Sequence, residues 1–100
     1  MTQFATTIIF EAGSTTTVTN FTASGVSGNL TTIKSSIPGT QFTLSKSSGT
    51  VTANYLAIQD SNATGGAYWD ALNGTNLNLG DNTGWNFPYV PITNQFFMFF

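Results

Sequence analysis

Proton-transfer chemistry needs a titratable pair held close together, and this chain offers little from which to build one. Its acids are Glu11, Asp60, Asp70 and Asp81, its cations are Lys34 and Lys46, and it has no histidine, cysteine or arginine. Without histidine, neither a Ser-His-Asp nor a Cys-His nucleophile can be assembled. A carboxylate pair of the kind that cleaves glycosidic bonds remains open on paper, from Asp60 and Asp70. Each aspartate, however, sits in a turn-forming stretch that already accounts for it structurally. The expectation is a chain that is not an enzyme, with no catalytic residue and no cofactor.

Hard oxygen ligands for calcium are present in Asp60-Ser61-Asn62 and Gly80-Asp81-Asn82. Neither stretch has the spacing of an EF-hand loop or of a calcium-binding β-roll repeat, so an Asx turn without an ion is the simpler reading and no metal ligand is assigned. Asn20, Asn29, Asn62 and Asn73 each begin an Asn-x-Ser/Thr triplet. A chain so rich in asparagine and threonine produces such triplets by chance, and no signal peptide is visible in the first residues. Two lysines cannot neutralise more than a phosphate or two, which excludes nucleic acid as the main partner. Threonine rows such as Thr15-Thr16-Thr17 suit an ice-binding face, but β-propensity and uncharged solubility explain them as well.

The elements that carry these residues read as strands almost throughout. Only 6% of the 100 residues are charged, the net charge is -2 and 40% are apolar. Threonine, serine, asparagine and glycine make up about half of the chain, so hydroxyls and amides wet the surface. A surface of so little charge repels neighbours weakly, and self-association is cheap. Runs of β-branched and aromatic residues alternate with polar ones and are punctuated by glycine. Leu30 and Thr32 fall on one face of a strand and Thr31 with Ile33 on the other. Phe42 and Leu44 alternate with Thr43 and Ser45, after a type II turn at Pro38-Gly39. The stretch 51–59 reads as one strand with a bulge near Ala53-Asn54, and the sequence after Asp60 as turn-dense, with Trp69, Trp85 and Phe87 covering one end of the core. Thr17-Val18-Thr19-Asn20-Phe21 resembles Thr50-Val51-Thr52-Ala53-Asn54-Tyr55, as two rungs of a solenoid would. The fold class expected is all-β, a short β-solenoid or a β-sandwich with an extended C-terminal arm.

Two regions are expected: an all-β domain over 1–87 and an arm over 88–100. Prolines at 88 and 91 bracket Tyr89 and Val90 and favour an extended backbone. Four of the last five residues are phenylalanine, with no charge among them. That run is too short to span a bilayer, so no membrane partner is expected, but it is too apolar to leave in water. Tyr89, Phe96, Phe97, Met98, Phe99 and Phe100 are therefore the candidate interaction residues. They either complete the chain's own core or insert in a neighbouring subunit.

A resemblance narrows the setting. Phe21-Thr22-Ala23-Ser24-Gly25, Pro38-Gly39-Thr40-Gln41-Phe42-Thr43-Leu44, Tyr55-Leu56-Ala57-Ile58-Gln59-Asp60-Ser61, Ala63-Thr64-Gly65-Gly66-Ala67 and Asn82-Thr83-Gly84-Trp85-Asn86-Phe87 resemble, in this order, a module of structural proteins of tailed bacteriophages of marine and cyanobacterial type. The Asp-Ser-x-Ala-Thr-Gly-Gly and Asn-Thr-Gly-Trp-x-Phe pieces are the specific ones. The resemblance implies a β-solenoid or β-sandwich without catalytic residues. It also implies a virion structural protein made in the host cytoplasm and placed on the particle exterior. A capsid decoration or cement protein is the leading expectation. Its partners would be a major capsid or tail protein and copies of itself. A tail, fibre or baseplate component is the first alternative. Others are a carbohydrate- or ice-binding module using Tyr68, Trp69, Trp85 and the threonine faces, and a self-assembling extracellular filament subunit.

Overall fold

The computed structural model describes residues 6–88, and these form an all-β unit with no helix. Its strands are β1 (Thr7–Phe10), β2 (Thr15–Thr17), β3 (Thr31–Ser35), β4 (Phe42–Ser45), β5 (Thr50–Thr52), β6 (Leu56–Gln59), β7 (Ser61–Thr64), β8 (Tyr68–Asp70), β9 (Leu77–Gly80) and β10 (Trp85–Asn86). They pair in three sheets, ordered β1-β3-β6-β9, β2-β4-β7 and β5-β8-β10. Every strand pair is parallel, and the one antiparallel pairing among the described residues is the Val26–Asn29 bridge. The chain visits the first, second and third sheets in turn and lays each circuit on the last. That winding is a short β-solenoid, not a sandwich.

The first rung contains β1, β2 and the segment 18–26. The second is β3, β4 and β5, and the third is β6, β7 and β8. The fourth is β9, a single bridge from Thr83 to Asn62, and β10. Alternation decides what faces inward. Thr31, Ile33 and Ser35 are buried on β3, and Phe42 and Leu44 on β4, while their neighbours along each strand are half-exposed. Inward side chains of successive rungs meet in rows, because parallel rungs stack about 4.8 Å apart. Ile33 sits over Ile58, Leu44 over Ala63, and Val51 over Trp69 and then Trp85. The Phe10 and Phe42 rings stack with centroids 4.5 Å apart, and Trp69 meets Trp85 edge-on at 5.0 Å. Phe21 closes the cluster from the first rung, 6.2 Å from Trp69 and 6.4 Å from Trp85.

The corners explain where strand-by-strand reading departs from the fold. The turn at Pro38-Gly39 forms as expected: Gly39 has φ +89° and the Thr40 N–H donates to the Ile37 carbonyl at 3.1 Å. The stretch 51–59, expected as one bulged strand, is two strands in different sheets. The change of parity near Ala53 is a corner, with Tyr55 at φ +55°. The register shift that does occur lies between β6 and β9, at Ile58/Gln59. Asp60, at φ +58°, turns the chain in one residue, so Ser61–Thr64 is a strand and not the start of a loop region. The likeness between Thr17-Val18 and Thr50-Val51 is not a rung relation either: β2 pairs with β4, whereas β5 lies in the third sheet.

Candidate assembly surfaces at the ends of the solenoid

The acidic residues are corner residues. Asp60 is 2% exposed, and its Oδ2 accepts the Gly39 N–H at 3.1 Å. One rung on, Asp81 occupies the same corner with φ +57°, and the Asp60 N–H donates to the adjacent Gly80 carbonyl at 3.1 Å. A hydrogen bond with the Asp60 carboxyl, then burial, then the Asp60 charge hold the Asp81 carboxyl above the usual aspartate range. Asp70 stands at another corner, registered with Thr52 and Asn86, and its Oδ1 caps the Leu72 N–H at 2.9 Å. The fold thus joins Asp60 to Asp81 and gives Asp70 a separate capping task, so the Asp60–Asp70 carboxylate pair is not assembled. Among the described residues no group of three or more acids forms a metal cluster, and the surface holds no cavity.

The tryptophans face inward. Trp69 is 2% exposed and Trp85 7%, so neither ring offers a face to a sugar; Tyr68 alone of that trio lies open. The indole N–H of Trp85 donates to Ser61 Oγ at 2.9 Å and that of Trp69 to the Thr64 carbonyl at 3.0 Å. On the outer face of the second sheet, Thr15, Thr43 and Asn62 form one row and Thr17, Ser45 and Thr64 another. Part of that array bonds within the sheet, Thr64 Oγ1 donating to the Leu44 carbonyl at 3.0 Å and Asn62 Nδ2 to Thr43 Oγ1 at 3.5 Å.

Sequence reasoning missed the asparagines of the last rung. Asn82 Nδ2 donates to the Ile58 carbonyl at 2.7 Å, and its Oδ1 accepts the Ser61 N–H at 2.9 Å. Asn76 does the same between the Ala53 carbonyl and the Leu56 N–H, both at 2.9 Å, and Asn86 donates to the Trp69 carbonyl at 3.0 Å. Asn73, which begins a glycosylation triplet, spends its amide on the Ala53 carbonyl and on Asn54. These side chains satisfy backbone groups at corners, where the ladder itself supplies no mate. The signal was their clustering after residue 72, which also reads as ordinary turn chemistry.

At the two ends, strands lack a partner on their outer side among the described residues. β1 and β9 are the edges of the first sheet, and β2 is an edge of the second. Leu77 and Leu79 on β9 are 54% and 45% exposed, and Ile9 on β1 is 59% exposed. Tyr89, Phe96, Phe97, Met98, Phe99 and Phe100, the interaction residues expected from the sequence, lie outside the described residues, although Pro88, which leads into them, is exposed beside the last rung. No family model matches the chain, and none of the curated proteins or solved structures compared with it does.

Proposed function

We propose that the chain is a structural protein of a tailed-bacteriophage particle, a decoration or cement protein on the capsid exterior that works by binding neighbouring chains and not by catalysis. The observation that carries this reading is a very short solenoid with an almost uncharged surface, whose first-rung strands β1 and β2 have no outer partner among the described residues. A free parallel edge is a template for a further strand, and solenoids grow by adding such units. The motif resemblance supplies the kind of particle. Residues Tyr89, Phe96, Phe97, Met98, Phe99 and Phe100 add apolar area at about 25 cal/mol per Å² before the costs of association. Removing residues 88–100 is expected to release the protein from purified particles; unchanged occupancy ends the reading.

A tail or fibre position is the second reading, favoured by parallel ladders that all continue in one direction. Gold labelling of particles separates it from a position on the head.

A further inference from the structure

The two ends of the solenoid are chemically different. In register, the row Ile8, Ile33 and Ile58 of the first sheet is followed by the exposed Asn78, so an amide ends the isoleucine row at the last rung. Asn78 Oδ1 is itself engaged, accepting from the Gly80 N–H at 3.0 Å and from Asn82 Nδ2 at 2.8 Å. The register shift between β6 and β9 distorts the same edge, one of the ways in which proteins blunt a strand against pairing. Among the described residues the first rung carries no such device. β1 reads Thr-Ile-Ile-Phe and β2 Thr-Thr-Thr, without charge, proline or register shift, and Ile8, Phe10 and Val18 are only half-buried against the core.

We infer that the first rung is the seat for the aromatic segment 89–100 of a second copy, stacked head to tail. The inference rests on the assembly reading above and names the receiving surface. Pro88, the last described residue, follows the last rung at the end opposite β1, so a head-to-tail stack sets the residues after it beside the next copy's first rung. Stacking in this sense also keeps the strand direction of every ladder, which head-to-head contact reverses. Chemistry agrees: the segment Tyr-Val-Pro-Ile-Thr-Asn-Gln-Phe-Phe-Met-Phe-Phe is uncharged, and so are β1 and β2, the one charge of the first rung being Glu11 at the corner between them. Extended, twelve residues reach about 40 Å, enough to cross the end of a small domain. A strand laid beside β1 gains backbone hydrogen bonds, and its aromatic side chains cover Ile8, Phe10 and Val18. A contact between unlike surfaces propagates to a ring or a filament instead of stopping at a symmetric pair.

Two full-length variants test this. One replaces Phe96, Phe97, Phe99 and Phe100 with serine and keeps the seat. The other, Ile8→Lys, keeps the segment, with Val18→Lys as a second seat variant should the first lose the β circular-dichroism signature. Sedimentation velocity over a concentration series is expected to show oligomers for the unmodified chain and monomers for each variant alone. An equimolar mixture then gives a heterodimer and nothing larger, because each partner retains one working half. An unmodified chain that stays monomeric, a variant that assembles unaided, or a mixture that stays monomeric overturns the inference. If the mixture fails while the serine variant is still lost from particles, the seat is wrong and the assembly reading stands. If the serine variant keeps full particle occupancy, it is the assembly reading that falls.

Discussion

Replacing Gly84 with alanine probes the stacking of rungs at its tightest point. Gly84 has φ +84°, and an added Cβ would lie inside the Ala63 carbonyl oxygen, 2.9 Å from the carbonyl carbon and 3.3 Å from Ala63 Cβ. Gly13 is the control: its φ is +78°, but a Cβ there meets nothing within 4 Å. Gly13→Ala therefore carries only the backbone penalty of the left-handed region, about 1–2 kcal/mol, partly offset by the lower entropy of the unfolded chain, for a net cost of about 1 kcal/mol. Gly84→Ala carries the same penalty and must also push the last rung off the third. That displacement breaks the bonds from the Ala63 N–H to the Thr83 carbonyl at 2.8 Å and from the Thr83 N–H to the Ser61 carbonyl at 2.9 Å. At about 1 kcal/mol for each bond, the expected total is about 3 kcal/mol. Urea unfolding followed by tryptophan fluorescence suits the comparison, since Trp69 and Trp85 are both buried and Trp85 adjoins the site. In thermal melts each kcal/mol corresponds to about 4–8 °C at this chain length. Equal destabilisation by the two substitutions would refute the close contact between the third and fourth rungs.

The Asp60–Asp81 corner gives a pH dependence. Because the folded Asp81 carboxyl titrates above its unfolded value, the folded state binds the extra proton. Its contribution is fully present below the unfolded pKa and is lost as pH rises through the folded one. Asp81→Asn keeps a residue that tolerates positive φ and removes the titration, so it is expected to gain on the unmodified chain as the pH rises from 4 to 7 in urea titrations. A stability difference that does not change with pH would exclude this source. Asn82→Ala removes the acceptor of the buried Ser61 N–H and the donor to the Ile58 carbonyl, an expected loss of about 2–3 kcal/mol. Asn20→Ala, at an exposed position, is expected to stay within about 0.5 kcal/mol, and equal effects in the same titration would deny the amides their structural role.

The all-β class and several strand faces were legible because alternation is local: Thr31 with Ile33, and Phe42 with Leu44, face inward as their spacing requires. The Pro38-Gly39 turn was legible for the same reason. The winding was not, because the spacing between stacked residues is constant only along Ile8, Ile33 and Ile58 in the first sheet, 25 residues apart, and shortens in the second from Thr16 to Leu44 to Ala63. Rows in register also change chemistry along the stack, from isoleucine to Asn78 in one and from Val51 to Trp69 in another. A search for repeated residues therefore aligned Thr17 with Thr50, which share only strand composition. One-residue corners at Tyr55 and Asp60 misled in a different way. Each looks locally like a bulge or a loop, and only the ladder on either side shows that the strand has passed to another sheet. The last-rung asparagines were hidden because their task depends on which backbone groups go without a mate, a property of the stack and not of the sequence around them.

The direction of those asparagine bonds bears on why one end is finished and the other open. Asn73, Asn76, Asn82 and Asn86 all bond back toward the preceding rungs, at Ala53, Ile58 and Trp69. The last rung thus commits its amides inward, and the exposed Asn78 stands in register where the earlier rungs have isoleucine. The first rung has the opposite economy: at Ala12 its N–H is satisfied by Ser36 Oγ of the following rung, and Ser14 Oγ bonds only locally, to the Glu11 carbonyl. In a quasi-one-dimensional fold a terminal rung lacks one of the two interfaces that an internal rung has, and polar capping compensates for the loss. Here the compensation is concentrated at the last rung. Among the described residues the first rung keeps half-covered isoleucine, phenylalanine and valine, and a further layer of chain laid on it would remove that apolar surface from water.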